Sequence, residues 1–266
     1  MTTYHQWLAL CAVTAVVSCA APTSGPPRTS EQPAPPTALD EQRIADIAAS
    51  SACAQTRWKN RGRAKVGYIK GMALAYAKSY CEARRNADGA VAVIGRPIQD
   101  QPNDALGHYG IGASTTVERL RATYTLLIGL GMRESSGKTT EGRDMTVGHP
   151  TAENAEAGLF QVSFDSIDAD PSLRKLYSDF SGQQDSCRLA TFMEGLSGGA
   201  EPDFGTGPAA EFQHFTKACP AFAAEYAGVM IRVNARHFGP INRREAEFLP
   251  SCQAMLQEVE QAAGCN

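Results

Sequence analysis

The sequence predicts a mainly α-helical protein with a single folded domain, and three observations support this. Apolar residues recur at intervals of three and four along much of the chain, which is the period of a helix buried on one face. Strand-like alternation of polar and apolar residues is scarce, with short extended pieces expected around residues 91–94 and 159–164. The composition, 43% hydrophobic and 20% charged over 266 residues, is typical of a chain that buries a sizeable core.

Residues 1–18 are interpreted as an export signal. Their apolar run, residues 7–17, has the length of a signal-peptide core and is too short to span a bilayer. The run ends in VVSC over residues 16–19, which resembles the lipobox of bacterial lipoproteins, where the signal is cleaved before a cysteine that then carries lipid. The resemblance implies lipidation of Cys19 and a membrane-anchored protein of the cell envelope, facing the periplasm or the exterior. The alternative is an ordinary secretory signal cleaved near residues 20–21.

Residues 19–37 are predicted to form an unpacked tether. Six prolines lie among Ser, Thr and Gly in this stretch, a composition typical of semi-extended linkers. The folded domain is therefore expected over residues 38–266. Within it, five glycines and a proline in residues 195–207 predict a loop.

Three helices are predicted in order along this domain. The first two cover apolar residues spaced through 68–80 and 117–131. The second begins with Thr115 and, three residues later, Glu118, which is the pattern of a capping box. The third covers residues 222–233.

Eight cysteines in a chain of this length predict an oxidising compartment. Cys11 is removed with the signal and Cys19 is the predicted lipidation site, which leaves six cysteines for three disulfides. The expected connectivity joins sequence neighbours, because each such pair brackets a local helix or loop, although the sequence leaves the other pairings open. The expected pairs are Cys53 with Cys81, Cys187 with Cys219, and Cys252 with Cys265.

Charge and cysteine spacing exclude several classes of ligand. The net charge of −3, from 25 basic and 28 acidic residues, disfavours a nucleic-acid partner held by phosphate contacts. No CxxC or HxxxH spacing occurs, so no metal site is expected, and no cofactor is predicted. Local hydrogen bonding is the expected role of four scattered histidines, His108, His149, His214 and His237.

Candidate chemistry lies at the end of the second predicted helix. The chain reads GMRESSGK over residues 131–138, and 24 residues after Glu134 it reads GLFQV over residues 158–162. An apolar helix that ends in Glu-Ser, followed by a loop and Gly-Leu-Met-Gln, resembles the lysozyme-like lytic transglycosylases and goose-type lysozymes, with Phe160 in place of the methionine. The resemblance covers residues 115–165. It implies a lysozyme-like domain with additional helices that cleaves peptidoglycan between N-acetylmuramic acid and N-acetylglucosamine.

The chemistry of that reaction identifies Glu134 as the candidate acid and base. A glycosidic oxygen is a poor leaving group, so its departure needs a carboxylic acid that remains protonated near neutral pH. The negative end of a helix dipole and apolar surroundings both raise the pKa of a carboxyl group. Asn234 lies in the segment that corresponds to a Tyr-Asn-Ala-Gly element of the family. The substrate-binding residues that the resemblance implies are Ser135, Gly158, Leu159, Phe160, Gln161 and Asn234. For Ser135 the resemblance also allows a second role, which is to orient Glu134.

The presence of a second catalytic carboxylate would favour hydrolysis, and its absence would favour lytic transglycosylation. Goose-type lysozymes position a water with acidic residues between and just after the two motifs, and Asp144 is the best match in the intervening loop. Where an aspartate is expected after the second motif this chain has Ser163, and Asp165 follows two residues later. Glu156 is interpreted as a loop charge. Because of the departure at Ser163, lytic transglycosylation with a single glutamate, which leaves 1,6-anhydromuramyl ends, is favoured over hydrolysis.

Three other functions stay open. They are a hydrolytic goose-type lysozyme, a chitinase or chitosanase on a related fold, and a non-catalytic envelope lipoprotein that binds glycan strands. A secreted bactericidal lysozyme is disfavoured, because such proteins use positive charge against an anionic wall and this chain is slightly acidic. The expected partners are peptidoglycan glycan strands and, through the lipid anchor, a membrane.

Overall fold

The computed structural model describes residues 39–99, 102–145, 148 and 150–265. The predicted signal, tether and lipidated Cys19 lie outside these residues, as does His149. Within them the fold is mainly helical, as predicted, with 61% helix and 3% strand. The helices are α1 (Glu41–Ser50), α2 (Ala52–Gln55), α3 (Val66–Asn86), α4 (Gly89–Ile94), α5 (Ala105–Tyr109), α6 (Thr116–Ser135), α7 (Pro171–Ser181), α8 (Leu189–Phe192), α9 (Pro208–Ala218), α10 (Pro220–Val233), α11 (Gly239–Asn242) and α12 (Pro250–Ala262).

Short elements connect these helices. Two-residue strands β1 (Arg57–Trp58) and β2 (Gly62–Arg63) pair antiparallel, with Arg57 opposite Arg63. Single turns of 3₁₀ helix cover Phe164–Asp168, Gln184–Cys187 and Ala235–His237.

Helix α10 forms the centre of the core. Its residues from Pro220 to Arg232 are all buried. Most are apolar, and the two charged ones are paired: Glu225 with Lys78 and Arg232 with Asp104. The helix packs against α3, α4, α6 and α7. Small side chains permit this close approach: a Cβ at Gly228 would lie 2.9 Å from the Cδ1 of Ile94. The predicted third helix is therefore confirmed as a core helix.

Helix α6 confirms the predicted capping box. The Thr115 hydroxyl accepts a hydrogen bond from the Glu118 N–H at 3.1 Å, and the Glu118 carboxylate accepts from the Thr115 N–H at 3.1 Å. The helix then continues without a break for 20 residues to Ser135. Both ends of the predicted element are thus correct to within a few residues, which places Glu134 in the last turn.

Two short segments differ from their predicted extended form. Residues 91–94 belong to α4, because a short apolar run carries no period that separates a buried strand from a buried helix. Residues 159–164 contain a tight turn followed by a 3₁₀ turn, with one isolated bridge between Ala157 and Val162. The glycine-rich loop over residues 195–207 is confirmed, since helix and strand are absent from it.

Three disulfides brace the fold, and one of the three predicted pairs is correct. Cys187 bonds Cys219, with an S–S distance of 1.94 Å. The other two pairings were wrong, because packing, not sequence proximity, brings the sulfurs together. Helix α2 packs against α12, and the chain after α12 returns to α3. The observed pairs are Cys53 with Cys252 and Cys81 with Cys265, with Cα–Cα distances of 4.6 and 5.0 Å.

The disulfides indicate an extracytoplasmic protein, since such bonds persist in oxidising compartments. In the part of the chain that the structure describes, none of the helices combines the length and apolar character that crossing a membrane requires.

Candidate active site

A polar cleft of about 550 Å³ opens at the C-terminal end of α6. This volume is in the usual range for small-ligand sites. Charged side chains dominate its lining, with four arginines, five carboxylates and a histidine. The lining residues are Arg61, Arg133, Glu134, Glu141, Gly142, Arg143, Asp144, Met145, Glu156, Gln161, Glu201, His237, Gly239, Pro240 and Arg243.

The end of α6 is held in a fixed geometry. Ser136 and Gly137 follow the helix with φ angles of +57° and +76°. Their N–H groups donate to the carbonyl oxygens of Met132 and Gly131, each at 3.1 Å, which closes the helix in the manner of a left-handed C-terminal cap. A Cβ at Gly137 would lie 2.9 Å from the ring of Tyr68, so glycine allows this closure to pack against α3. The last helical turn is therefore closed by capping hydrogen bonds and packed against α3.

Glu134 lies half-buried in this last turn and lines the cleft. Burial, and next the charge of Glu156, raise the pKa of Glu134 to about 8, against the opposing effect of nearby arginines. A carboxyl group with this pKa carries its proton at neutral pH. The side chain can therefore donate a proton, which is the property that the sequence predicted for it.

The Gly-Leu-Phe-Gln segment forms a tight turn beside the helix end. Ala157 and Val162 exchange backbone hydrogen bonds of 3.1 and 3.2 Å across it. Gln161 has a φ of +49°, a region that non-glycine residues rarely occupy, and its Nε2 donates to the Gly158 carbonyl oxygen at 3.0 Å. Strained backbone of this kind is concentrated at functional sites. Gln161 is 7% exposed and lines the cleft, so its binding of substrate stays a prediction.

Ser135 joins the helix end to the turn. It is 3% exposed, and its Oγ lies 2.9 Å from the Leu159 carbonyl oxygen and 3.1 Å from that of Gly131. Because the hydroxyl is buried against these two acceptors, it does not face the cleft. Of the two roles expected for Ser135, this geometry favours the positioning one: Ser135 ties the turn to the helix end that carries Glu134.

Four other residues predicted to contact the substrate do not line the cleft in the structure. Leu159 and Phe160 are 0% exposed, because their apolar side chains pack into the core. Gly158 is buried, and its N–H donates to the Glu141 carbonyl oxygen at 2.8 Å. Asn234 is exposed just after α10 and is not among the described residues that line the cleft. Of the six predicted contacts, Gln161 is the one that the structure places in the cleft.

Glu156 is the second carboxyl group that the structure brings near Glu134. It is half-buried and lines the cleft, and burial, followed by the charges of Asp144 and Asp165, raises its pKa to about 7. Asp144 lines the cleft at an exposed position. Asp165 lies outside the lining and accepts a hydrogen bond from the Ser163 hydroxyl at 2.6 Å. Glu156, which the sequence indicates only as a loop charge, thus lies in the candidate site.

His237 and the cleft arginines were also missed. The His237 ring lines the cleft, its Nε2 is buried without a hydrogen-bond partner among the described residues, and burial lowers its pKa. Its ring is therefore neutral at pH 7. Arg61 reaches the cleft from the β1–β2 hairpin and Arg243 from the end of α11. Local sequence gives no signal for them, because only the tertiary fold brings these segments to α6.

Metal-binding geometry is absent from the described residues, in which no three or more His, Cys, Asp or Glu side chains form a group that could hold an ion.

Replacing Ser135 with alanine is expected to destabilise the protein by about 1 kcal/mol, because the Leu159 carbonyl loses its hydrogen bond in a buried setting. Urea unfolding measures this loss. Ser181→Ala is the matched control, since its hydroxyl also donates to a carbonyl four residues earlier but is exposed. Equal losses in both variants would contradict the positioning role of Ser135.

Comparison of the chain with models of protein families, with curated proteins and with solved structures gave no match.

Proposed function

We propose that the protein cleaves peptidoglycan glycan strands between N-acetylmuramic acid and N-acetylglucosamine by lytic transglycosylation. One observation carries the proposal: Glu134, in the last turn of a buried helix, lines a polar cleft with its pKa raised to about 8. The Gly-Leu-Phe-Gln turn that Ser135 ties to the same helix end supports it further. Disulfides place the chain outside the cytoplasm, where this substrate is found.

In the proposed reaction Glu134 acts first as acid and then as base. Its carboxyl proton passes to the glycosidic oxygen, and the bond from that oxygen to C1 of the muramic acid breaks. The Glu134 carboxylate then accepts the proton of the C6 hydroxyl of the same sugar, and the oxygen of that hydroxyl forms a bond to C1. The product is a 1,6-anhydromuramyl end, water is not consumed, and Glu134 recovers its proton.

Hydrolysis is a second candidate, and Glu156 is the observation that favours it. A carboxyl group with a pKa of about 7 is partly ionised at neutral pH, so it can accept a proton from a water molecule in the cleft. That water would then attack C1 while Glu134 protonates the leaving oxygen, giving a reducing end.

The chemical nature of the released ends distinguishes these candidates. The protein is incubated with purified sacculi, and the soluble fragments are analysed by mass spectrometry. Anhydro ends, lighter by one water, support transglycosylation, and reducing ends support hydrolysis. Sedimentation of the protein with sacculi without release of fragments would show a binding protein instead.

Replacing Glu156 with glutamine is expected to shift the basic limb of the pH–rate profile to lower pH. The negative charge of Glu156 raises the pKa of Glu134, so its removal lets Glu134 lose its proton at a lower pH. The rate of fragment release at pH 8 should fall roughly threefold or more. Under hydrolysis, reducing ends should also disappear at every pH.

Glu153→Gln is the matched control for that variant, because Glu153 is exposed and lies three residues away on the same segment. A basic limb that stays in place in Glu156→Gln would contradict the electrostatic link between the two carboxyl groups.

A further inference from the structure

Three guanidinium groups, those of Arg61, Arg133 and Arg243, line one edge of the cleft. We call it the arginine edge. Two of them share one carboxylate: Arg133 Nη2 and Arg243 Nε each lie 3.0 Å from an oxygen of Glu245. These hydrogen-bonded pairs hold both guanidinium groups in place beside Glu134.

Arg61 is the third member of the arginine edge, and its positive charge is not paired with a carboxylate of the described residues. Its Nη2 donates to the main-chain oxygen of Arg133, so the guanidinium is anchored by a neutral group. Among the described residues no carboxylate lies within ion-pair distance of Arg61. The arginine edge itself therefore holds three cations and one paired anion, Glu245, and the other carboxyl groups of the cleft lie beyond ion-pair distance of Arg61.

The positive charge of the arginine edge disfavours the protonated form of the neighbouring acid, Glu134. Arg243, Arg61 and Arg133 all lower the pKa of Glu134, which works against the protonated form that the reaction needs. A negative group of the substrate bound at the arginine edge would offset this effect. Arg61 and Arg243 are exposed, so such a group can reach them. The arrangement is thus best matched to a substrate that brings its own negative charge.

We propose that the arginine edge binds a carboxylate of the glycan strand, with Arg61 as the principal contact. The inference rests on the proposed glycan-cleaving function and adds to it that the substrate is anionic, unlike chitin. Arginine is well suited to this role because its planar group binds carboxylates through two parallel hydrogen bonds. The carboxylate is either that of a stem peptide or the lactyl carboxylate that muramic acid exposes once its peptide is removed.

Binding to insoluble glycan tests the proposal independently of cleavage. The full chain with Glu134→Gln is compared with the double variants that also carry Arg61→Gln or Arg63→Gln, by co-sedimentation at low salt. Arg63 is the matched control, since it lies exposed on the same hairpin and outside the lining of the cleft. The substrates are intact sacculi and sacculi stripped of stem peptides by an amidase. Both kinds of sacculi are also tested after their carboxylates have been coupled to methylamine, which converts them to neutral amides.

We expect Arg61→Gln to weaken binding about tenfold to at least one untreated substrate, with Arg63→Gln unchanged. Loss on intact sacculi alone identifies the stem carboxylate, and loss on stripped sacculi alone identifies the lactyl carboxylate. Equal binding with and without Arg61, or an equal loss on the methylamine-treated substrates, would overturn the proposal. Binding through Arg61 without fragment release by the wild type would overturn cleavage but not the carboxylate site.

Discussion

Replacing Glu134 with glutamine is expected to reduce the release of fragments from sacculi by about a thousandfold or more. Glutamine keeps the size of the side chain, but its amide protons are far too weakly acidic to be transferred to the glycosidic oxygen. Turbidity of a sacculus suspension and chromatography of the soluble fragments both measure this rate. Glu258→Gln is the control, because Glu258 is exposed on α12, outside the cleft, and its loss should leave the rate unchanged.

The same variant should not lose stability. In the folded protein the pKa of Glu134 is raised to about 8, whereas in the unfolded chain it has its ordinary acidic value. Between these two values the folded state binds more protons than the unfolded state, so wild-type stability falls as pH rises through this window. Glutamine removes this dependence. Glu134→Gln should therefore be at least as stable as the wild type at pH 8, and a lower melting temperature there would contradict the burial of a protonated Glu134.

Removal of the Cys53–Cys252 disulfide is expected to have a large effect on stability. The bond ties α2 to α12, and because Cys81–Cys265 stays intact, the covalent loop that it closes runs over residues 53–81 and 252–265, about 40 residues. From the chain entropy of this loop we expect a loss of about 4 kcal/mol in the free energy of unfolding when both cysteines are replaced by alanine. A loss of this size is comparable with the total stability of many domains, so unfolding at moderate temperature is expected. Thermal and urea unfolding measure the loss.

The Cys187–Cys219 disulfide provides the internal comparison. Its separation is 32 residues, so a loss of similar size, about 4 kcal/mol, is expected when it is removed. Both double variants remove two sulfurs from buried positions and open loops of similar length. A difference of more than about 1.5 kcal/mol between the two losses would contradict chain entropy as the main source of their stabilisation.

Local sequence predicted the features that depend on local interactions. The capping box at Thr115 involves residues three apart, and the helix that it starts has apolar residues at the helical period. These two signals placed Glu134 in the last turn of α6. The turn at Gly158 was located by its motif, although its extended conformation was wrong, since a turn closed by one bridge has no strand period.

Features that depend on tertiary packing could not be predicted. The partners of Cys53 and Cys81 lie in the C-terminal part of the chain, and sequence distance gives no guide to such pairs. Glu156 precedes the turn by two residues, so its fixed spacing from Gly158 was the one signal available for it. Arg61 and Arg243 had no signal, because their role follows from where a hairpin and a short helix meet the end of α6.

The most direct test of the central claim is a mass spectrum of the fragments that the full chain releases from purified sacculi at pH 7, with Glu134→Gln analysed in parallel. We expect 1,6-anhydromuramyl ends from the wild type and no fragments above background from Glu134→Gln. Release of the same fragments by both proteins, or by neither, would contradict the assignment of Glu134 as the acid that cleaves glycan strands.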